Sequence, residues 1–276
     1  LRTGKTNVIA LVLNRADDSI DFARYLIQGI GHGIKNTLYH MNVTPNFDSN
    51  SSVETVRYII DNRTADGVVL THTSPRDPRV QLLMDHDFPF VTHGRTEFYS
   101  PHPYHDFHSE EFMRLAVERL HAKGCRNIML VVGGRATTNF SNIVNSFDRT
   151  ALRLKVESRV TGEETGQGSP AAMRSFGQEL AANPSRPDGI ICDSEVRSIC
   201  LITGLVDGGV KIGRDIQFIC KQTSDLLSTL FPSIDTIEEN VFEAGSELTR
   251  LLIRRIKGDP PETLQTLGEP VPHWRD

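Results

Sequence analysis

The chain lacks the features that mark several large classes of protein. No apolar run approaches the roughly 18 residues that a membrane helix needs, and the polar start lacks the apolar core of a signal peptide. The four cysteines form no C-x-x-C pair and have no histidine at ligand spacing, so neither zinc nor a redox dithiol is indicated. We therefore expect small buried cysteines, no metal, no cofactor and a cytoplasmic protein.

Excess positive charge and enzyme motifs are also missing. The formal net charge is −5, whereas binding to nucleic acid requires clustered Lys and Arg, so these residues alone should bind DNA poorly. There is no G-x-S-x-G elbow, no Walker loop and no G-x-G-x-x-G after the first apolar run. Gly29, Gly31 and Gly33 fall inside a predicted helix, where they favour helix packing. The sequence therefore predicts a protein that is not an enzyme.

What is present is an alternation of apolar strand-like runs with helix-length amphipathic segments, which is typical of an α/β fold with parallel sheets. A length of 276 residues allows two compact units. The first series predicts strands over 8–13, 40–43, 67–71 and 90–92, and helices over 22–36, 52–63 and 109–123. The second predicts strands over 128–132, 156–161, 189–192 and 216–220, helices over 142–153, 170–182 and 196–207, and then a segment 234–237 and a helix over 240–257. Each series has the pattern of a Rossmann-like half.

Four segments carry a resemblance to a known family. They are the leader 1–6, the stretch from His105-Asp106 to Asn127-Ile128, the segment from Asp215 to Ile237, and Arg254-Arg255-Ile256-Lys257-Gly258. In this order they resemble the effector domain of the LacI/GalR (lactose-repressor) family of transcription regulators without its N-terminal helix-turn-helix head. The leader is similar to the family's link between the hinge helix and the effector domain.

This resemblance implies a periplasmic-binding-protein-like fold of type I, with two lobes joined by three crossovers. The crossovers are expected near 124–126, 237–240 and 258–261. The N-terminal lobe would then comprise 1–124 plus 239–258, and the C-terminal lobe 125–238 plus 259–276. An effector would bind in the cleft, at the carboxyl ends of the parallel strands, as in open α/β sheets generally.

The resemblance also implies effector contacts from the first lobe. Asp106 matches a position where a carboxylate reaches the effector, and its two acceptor oxygens suit neighbouring sugar hydroxyls; a capping or solvated Asp is the alternative. Arg95 matches an Arg at a strand end and could grip hydroxyls, or form an ion pair within the lobe. Further positions match the stretch facing the cleft, although Phe22 could equally be core: Asn14, Asp17, Ile20 and Phe22.

The second lobe departs from the family pattern. When the chain is aligned to the family pattern without gaps, Ile143 stands where most members have an Arg that contacts the effector. The neighbouring Asn142 is therefore the candidate contact, and Phe140 or Asn139 could replace contacts that are lost. The usual aromatic wall falls on Glu164, the usual Asn on Ser194 and the usual first Asp on Gln222. Because the contacts have changed type, the effector of a known member cannot simply be transferred. His102, His105 and His108 lie on a predicted loop and match no zinc template.

These features predict the ligand-sensing and dimerisation domain of a repressor. A sugar is the expected effector because the candidate groups suit hydroxyls, although a nucleobase or a sugar phosphate stays open. The expected partners are operator DNA, through a head outside this chain, and a second copy, through helices around 52–63 and 77–84. The alternative is a periplasmic sugar-binding protein of a transport system, and the linker-like leader favours the regulator.

Overall fold

The computed structural model describes residues 4–14, 21–46, 51–161 and 169–275. The strands are β1 (Val8–Asn14), β2 (His40–Asn46), β3 (Gly67–Thr71), β4 (Phe90–His93), β5 (Tyr104–Phe107), β6 (Asn127–Val131), β7 (Glu157–Val160), β8 (Gly189–Cys192), β9 (Gln217–Gln222), β10 (Asp235–Glu238), β11 (Gln265–Gly268) and β12 (Val271–His273). The helices are α1 (Phe22–Ile34), α2 (Ser51–Asn62), α3 (Pro78–Asp85), α4 (Ser109–Ala122), α5 (Thr138–Leu154), α6 (Pro170–Ala182), α7 (Glu195–Asp207), α8 (Leu226–Leu230) and α9 (Val241–Ile256).

The strands form two six-stranded sheets, one in each lobe. Their orders are β11-β5-β4-β3-β1-β2 and β12-β10-β9-β8-β6-β7. Neighbouring strands run parallel, with the exception that β12 lies antiparallel to β10. Central strands such as β3 and β8 are buried along their whole length, as expected for parallel sheets covered on both faces. The predicted α/β fold with two Rossmann-like lobes is confirmed.

Alternate residues of the central strands point to opposite faces of the sheet and pack against different helices. In the first lobe, Ile9 and Leu11 of β1 pack with α1 and α9, while Ala10 and Val12 pack with α2 and α3. In the second lobe, β6 directs Ile128 and Leu130 toward α4 and α5, and its intervening residues toward α6 and α7. Each lobe therefore has three layers and two cores. Cys125, Cys192 and Cys220 lie in these cores, and Cys200 is partly exposed.

Glycines bring one pair of helices into close contact in each lobe. A Cβ on Gly29 of α1 would lie 2.0 Å from the carbonyl oxygen of Phe242 in α9. In the second lobe, a Cβ on Gly204 of α7 would lie 2.0 Å from the carbonyl oxygen of Arg174 in α6. The predicted packing role of the glycines in α1 holds for Gly29, whereas a Cβ on Gly31 would contact nothing within 4 Å.

Two of the three crossovers lie at other positions than predicted. The first was expected near 124–126, but α4 packs on the second sheet through residues such as Phe112 and Leu120, so the chain crosses at His108. The second lies at Glu239 and Asn240, between β10 and α9. Amphipathic periodicity shows that α4 has an apolar face but does not show which sheet that face covers.

The third crossover lies later than the predicted 258–261. The chain stays with the first sheet through β11, which pairs with β5, and then crosses at Glu269 and Pro270 to form β12. Strand β5 itself lies where a loop was predicted for the histidine-rich segment. Its middle residues His105 and Asp106 are polar yet buried, so the apolar pattern of a strand is interrupted at this point.

Candidate functional site

A cavity of about 160 Å³ lies between the two lobes, at the carboxyl ends of the parallel strands. An engineered protein cavity of about 150 Å³ holds a benzene molecule, so this one has room for about one six-membered ring. The first lobe contributes the start of α1 and the ends of β3, β4 and β5, and the second contributes the segments after β6, β8 and β9. The lining residues are Phe22, His72, Thr73, His93, Gly94, Asp106, Phe107, Gly133, Gly134, Thr137, Asn139, Asp193, Ser194, Glu195, Arg197, Lys221, Thr223 and Glu239.

Four residues named from the sequence line this cavity: Phe22, Asp106, Ser194 and Asn139, the alternative to Phe140. Asp106 is 4% exposed at the end of β5, and Phe22 is buried at the start of α1 with its ring 5.3 Å from that of His93. Phe22 therefore belongs both to the core and to the cavity wall. Ser194 caps α7 by accepting a hydrogen bond from the Arg197 amide, which directs the amino end of α7 toward the cavity.

Arg95 lies behind the cavity wall rather than in it. Its Nε donates to Asp106 Oδ2 at 2.7 Å, and its Nη2 donates to Glu110 Oε2 at 2.8 Å. Burial raises the pKa of Asp106 above its ordinary value, although Arg95 opposes this effect. Because Glu110 belongs to α4 of the second lobe, Arg95 connects a cavity carboxylate of one lobe with a carboxylate of the other.

The remaining predicted residues do not line this cavity or fall outside the description. Phe140 packs at the edge of the core beneath Arg135, with its ring 5.3 Å from the guanidinium carbon. Asn142 faces an outer groove beside α5, and Gln222 lines a neighbouring cavity. Asn139, the alternative to Phe140, does line the site. Asp17, Ile20, Glu164 and the side chain of Asn14 lie outside the described residues.

The sequence did not reveal a buried charge cluster in which Glu239 joins the two lobes. Glu239, at the second crossover, accepts a hydrogen bond of 2.6 Å from Lys221 Nζ in the second lobe. Its other carboxylate oxygen lies 3.2 Å from His93 Nε2 in the first lobe. Lys221 also lies 5.4 Å from the centre of the Phe107 ring. The ammonium group is therefore held between a carboxylate and an aromatic face.

The charges of this cluster stabilise one another. Burial alone would raise the pKa of Glu239, but Lys221 and His93 outweigh it and hold that pKa far below its ordinary value. Burial alone would lower the pKa values of Lys221 and His93, yet the Glu239 carboxylate raises both. A buried charge is tolerated when it is paired and hydrogen-bonded, and the Lys221–Glu239 pair meets that condition. The contact between His93 Nε2 and Glu239 Oε1 is an ion pair without hydrogen-bond geometry.

His72 forms a second part of the wall that sequence reasoning missed. It follows β3 with a φ of 53°, and Arg79 stabilises this turn by donating to the carbonyl oxygens of Thr71 and His72, each at 3.1 Å. Arg79 is in turn paired with Asp77 at 2.7 Å. Burial lowers the pKa of His72 to about 4, so the imidazole is neutral at neutral pH.

The second lobe supplies a wall of fixed polar groups. Arg197 Nη2 pairs with Asp193 Oδ1 at 2.8 Å, and a Cβ on Gly133 would lie 2.7 Å from Arg197 Nη1, so glycine makes room for the guanidinium. Glu195 accepts from the Thr223 hydroxyl at 2.8 Å and from the Ser224 hydroxyl at 2.9 Å. The carboxylates of Asp193 and Glu195 in this wall therefore already have hydrogen-bond partners within the second lobe.

The lobes touch across the cavity as well as at the crossovers. The backbone N–H of Thr138, at the start of α5, donates to the carbonyl oxygen of Thr73 at 3.0 Å. Together with the Arg95–Glu110 pair, this contact describes a state in which the lobes lie close together. Within the described ranges, no group of three or more His, Cys, Asp or Glu could hold a metal ion. No helix of the described part of the chain is long and apolar enough to cross a membrane.

Residues 117–276 match the family described as periplasmic binding protein-like domain. Among curated proteins, the HTH-type transcriptional regulator AglR of Rhizobium meliloti (strain 1021) is 26% identical over 95% of this chain and 76% of its own length. The ribose operon repressor of Lactococcus lactis subsp. lactis (strain IL1403) is 22% identical over 92% of this chain and 75% of its own.

Solved structures show the same fold. A regulatory protein of the LacI family from Chloroflexus aggregans superposes with a TM-score of 0.84 at 21% identity, covering 98% of this chain and 97% of its own. A complex described as the transcriptional regulator CelR with cellobiose gives a TM-score of 0.84 at 20% identity, over 98% of this chain and 84% of that one.

Proposed function

Since the chain belongs to the family of periplasmic binding protein-like domains, we propose that it is the effector-binding domain of a LacI-type transcriptional regulator and binds a neutral sugar between its lobes. The observation that carries the proposal is the pairing of charges around the cavity. Lys221 is paired with Glu239, Arg197 with Asp193, and the Asp106 carboxylate with Arg95.

A neutral polyhydroxyl ligand fits such a wall better than an ion does. Bringing a phosphate or carboxylate into the cavity would place an unpaired charge beside carboxylates that already have their partners, which is costly in a buried site. Sugar hydroxyls can donate to carboxylate oxygens and accept from donors without adding charge. The rings of Phe22 and Phe107 offer apolar faces against which the C–H groups of a sugar ring can pack.

The proposed regulatory role is supported by the position of the cavity between the two lobes. An effector that contacts both lobes binds the closed arrangement more tightly than an open one and therefore shifts the population toward closure. In a dimer formed through α2 and α3, that shift would change how head domains outside this chain meet operator DNA. The names of the relatives, which are regulators and repressors, support this role and an absence of catalysis.

The test is a thermal-shift screen followed by calorimetry on the whole chain. The panel contains neutral mono- and disaccharides, glucose 6-phosphate and adenine, and the variant is Asp106→Asn. Asp148→Asn, on the exposed outer side of α5, is the matched control. A ligand that binds only the folded chain must raise its melting temperature.

We expect a neutral sugar to stabilise the chain, and Asp106→Asn to weaken its binding by about tenfold, which corresponds to about 1.4 kcal/mol. Asp148→Asn should bind like the wild type. Stabilisation by the phosphate or by adenine but by no neutral sugar would refute the proposed ligand class. If Asp106→Asn and the wild type bind the sugar equally well, the sugar does not bind in this cavity.

A further inference from the structure

The ion pair between His93 and Glu239 crosses from one lobe to the other. Glu239 is held by the second lobe, because its amide donates to the Gln222 carbonyl oxygen at 2.9 Å and its carboxylate accepts from Lys221 Nζ at 2.6 Å. His93 is the last residue of β4, which lies between β3 and β5 in the first sheet. The distance of 3.2 Å between His93 Nε2 and Glu239 Oε1 is therefore a distance between the lobes.

This contact depends on the angle between the lobes. Glu239 lies at the second crossover, next to Asn240, so a bend of the chain at this point moves its carboxylate relative to β4. With the lobes close together, the side chains of His93 and Glu239 are 12% and 4% exposed. When the lobes separate, water enters between the two groups and weakens their attraction. The attraction is therefore a property of the closed arrangement.

The protonation state of His93 decides how strong the attraction is. A neutral imidazole carries no net charge, so the ion pair with the Glu239 carboxylate requires the imidazolium form. Burial opposes that form, but Glu239 outweighs burial and raises the pKa of His93 above its ordinary value of 6.5. A group whose pKa is raised in one state stabilises that state at low pH. This stabilisation of the closed arrangement is complete below about pH 6.5 and is lost as pH rises through the raised pKa.

The other charged groups around His93 define the pH range in which it acts alone. Lys221 of β9 lowers the pKa of His93, and Asp106 of β5 raises it. Burial lowers the pKa values of His72 and His105 to about 4, so both are neutral in the closed arrangement. Because His72 lines the cavity, its protonation in an open form would favour opening below about pH 6.5. The range above pH 6.5 therefore isolates the effect of His93.

We propose that closing of the lobes takes up a proton at His93, so that the domain responds to pH as well as to its effector. An effector and a proton that both bind the closed arrangement more tightly each favour binding of the other. The inference goes beyond the proposed function and is tested on the chain alone. It can therefore fail while the proposed sugar site stands.

The experiment measures the radius of gyration of the whole chain without ligand, by small-angle X-ray scattering, between about pH 6.5 and about pH 8.5. Size-exclusion chromatography in line with the beam ensures that each curve comes from one assembly state. NMR of the imidazole protons follows the titration of His93 under the same conditions. The variants are His93→Gln and Glu239→Gln, and His40→Gln, at an exposed position of β2, is the matched control.

We expect the radius of gyration to rise with pH, as the ratio of closed to open molecules falls by about fivefold. The midpoint of this rise should coincide with the titration of His93. Both variants at the contact should lose the pH dependence, whereas His40→Gln should keep it. If a variant does not fold, as its melting curve would show, the coincidence of the two midpoints in the wild type decides. A radius of gyration that does not change with pH, or a change that persists in His93→Gln, would overturn the inference.

Discussion

The two lobes are built on one plan but present different chemistry to the cavity. Both have six strands in equivalent order, and both hold two helices together through glycines. The first lobe offers mainly rings, from Phe22, His72, His93 and Phe107, with Asp106 as its carboxylate. The second lobe offers charged groups that are hydrogen-bonded within that lobe, such as Asp193 with Arg197.

Two lobes with equivalent strand order can therefore present different side chains to one cavity. Rings of the first lobe give shape and apolar surface, whereas the second lobe holds polar groups in fixed positions beside the starts of α5 and α7. The common strand order gives both lobes the same architecture, and the residues at the strand ends differ between the lobes. Substitutions in each lobe test how far the two lobes differ.

The largest effects are expected from the buried acids Asp77 in the first lobe and Asp235 in the second. Asp77→Asn leaves Arg79 without its partner although that guanidinium is almost fully buried, so we expect a loss of about 4 kcal/mol in unfolding free energy. Asp235→Asn should cost less, about 2 kcal/mol, because Arg119 and Lys123 are partly exposed and can regain water. Urea unfolding measures both values, and a larger loss for Asp235→Asn would reverse the comparison.

Glycine contacts should be equally sensitive in the two lobes. Gly29→Ala and Gly204→Ala each place a Cβ 2.0 Å from a backbone oxygen, so the helices must separate, at a cost of about 2 kcal/mol each. Gly31→Ala has free space and should stabilise the chain by about 0.5 kcal/mol through its helix propensity. Chemical unfolding checks all three, and a Gly204→Ala variant as stable as the wild type would show that the lobes differ in this contact.

The folded state should become less stable at acidic pH because His105 of the first lobe is buried in its neutral form. Burial lowers the pKa of His105 to about 4 from 6.5, so the folded state binds fewer protons and its stability falls as pH drops from 6.5 toward 4. Between about pH 7.5 and about pH 5, this group should contribute a loss of about 2 kcal/mol. We expect His105→Gln to reduce the slope of unfolding free energy against pH, while His40→Gln at an exposed position keeps the slope of the wild type. An unchanged slope in His105→Gln would contradict the assignment.

The smallest effect is expected from the ion pair that connects the lobes. Glu110→Gln weakens its bond to Arg95 across the cleft and should reduce sugar affinity by at most about fivefold, because such partly exposed pairs contribute about 1 kcal/mol or less. Glu118→Gln removes an acid that, among the described residues, pairs with Arg114 and Arg153 of the second lobe. Calorimetry should find the sugar affinity of Glu118→Gln unchanged. An equal loss of affinity in both variants would show that the Arg95–Glu110 pair has no special role in connecting the lobes.

Periodicity predicted much of the fold because the apolar faces of α1, α9 and the central strands are continuous. It could not assign α4 to a sheet, since an apolar face does not identify its partner. It also missed β5, where buried His105 and Asp106 interrupt the apolar pattern. The crossovers were therefore displaced, although the two-lobed α/β fold was predicted correctly.

The site was harder to predict because its charges come from distant segments. His93, Lys221 and Glu239 meet only after three strand ends have been brought together. His93 and Lys221 each follow a largely apolar run, whereas Glu239 follows Asp235-Thr236-Ile237-Glu238. A charged residue directly after an apolar run is a signal that could have found Lys221, but it does not apply to Glu239, which follows another glutamate. Asp106 and Ser194 were found as cavity residues because a resemblance pointed to them, and their roles in binding stay predictions.

The most direct test of a sugar site between the lobes is amide hydrogen exchange with and without the sugar that stabilises the chain most. We predict slower exchange on both sides of the cavity, in peptides from β4 to β5 and in peptides from β8 to β9, with little change on the outer helices. Slower exchange confined to one lobe, or located only in the groove beside Asn142 on the outer side of α5, would contradict it.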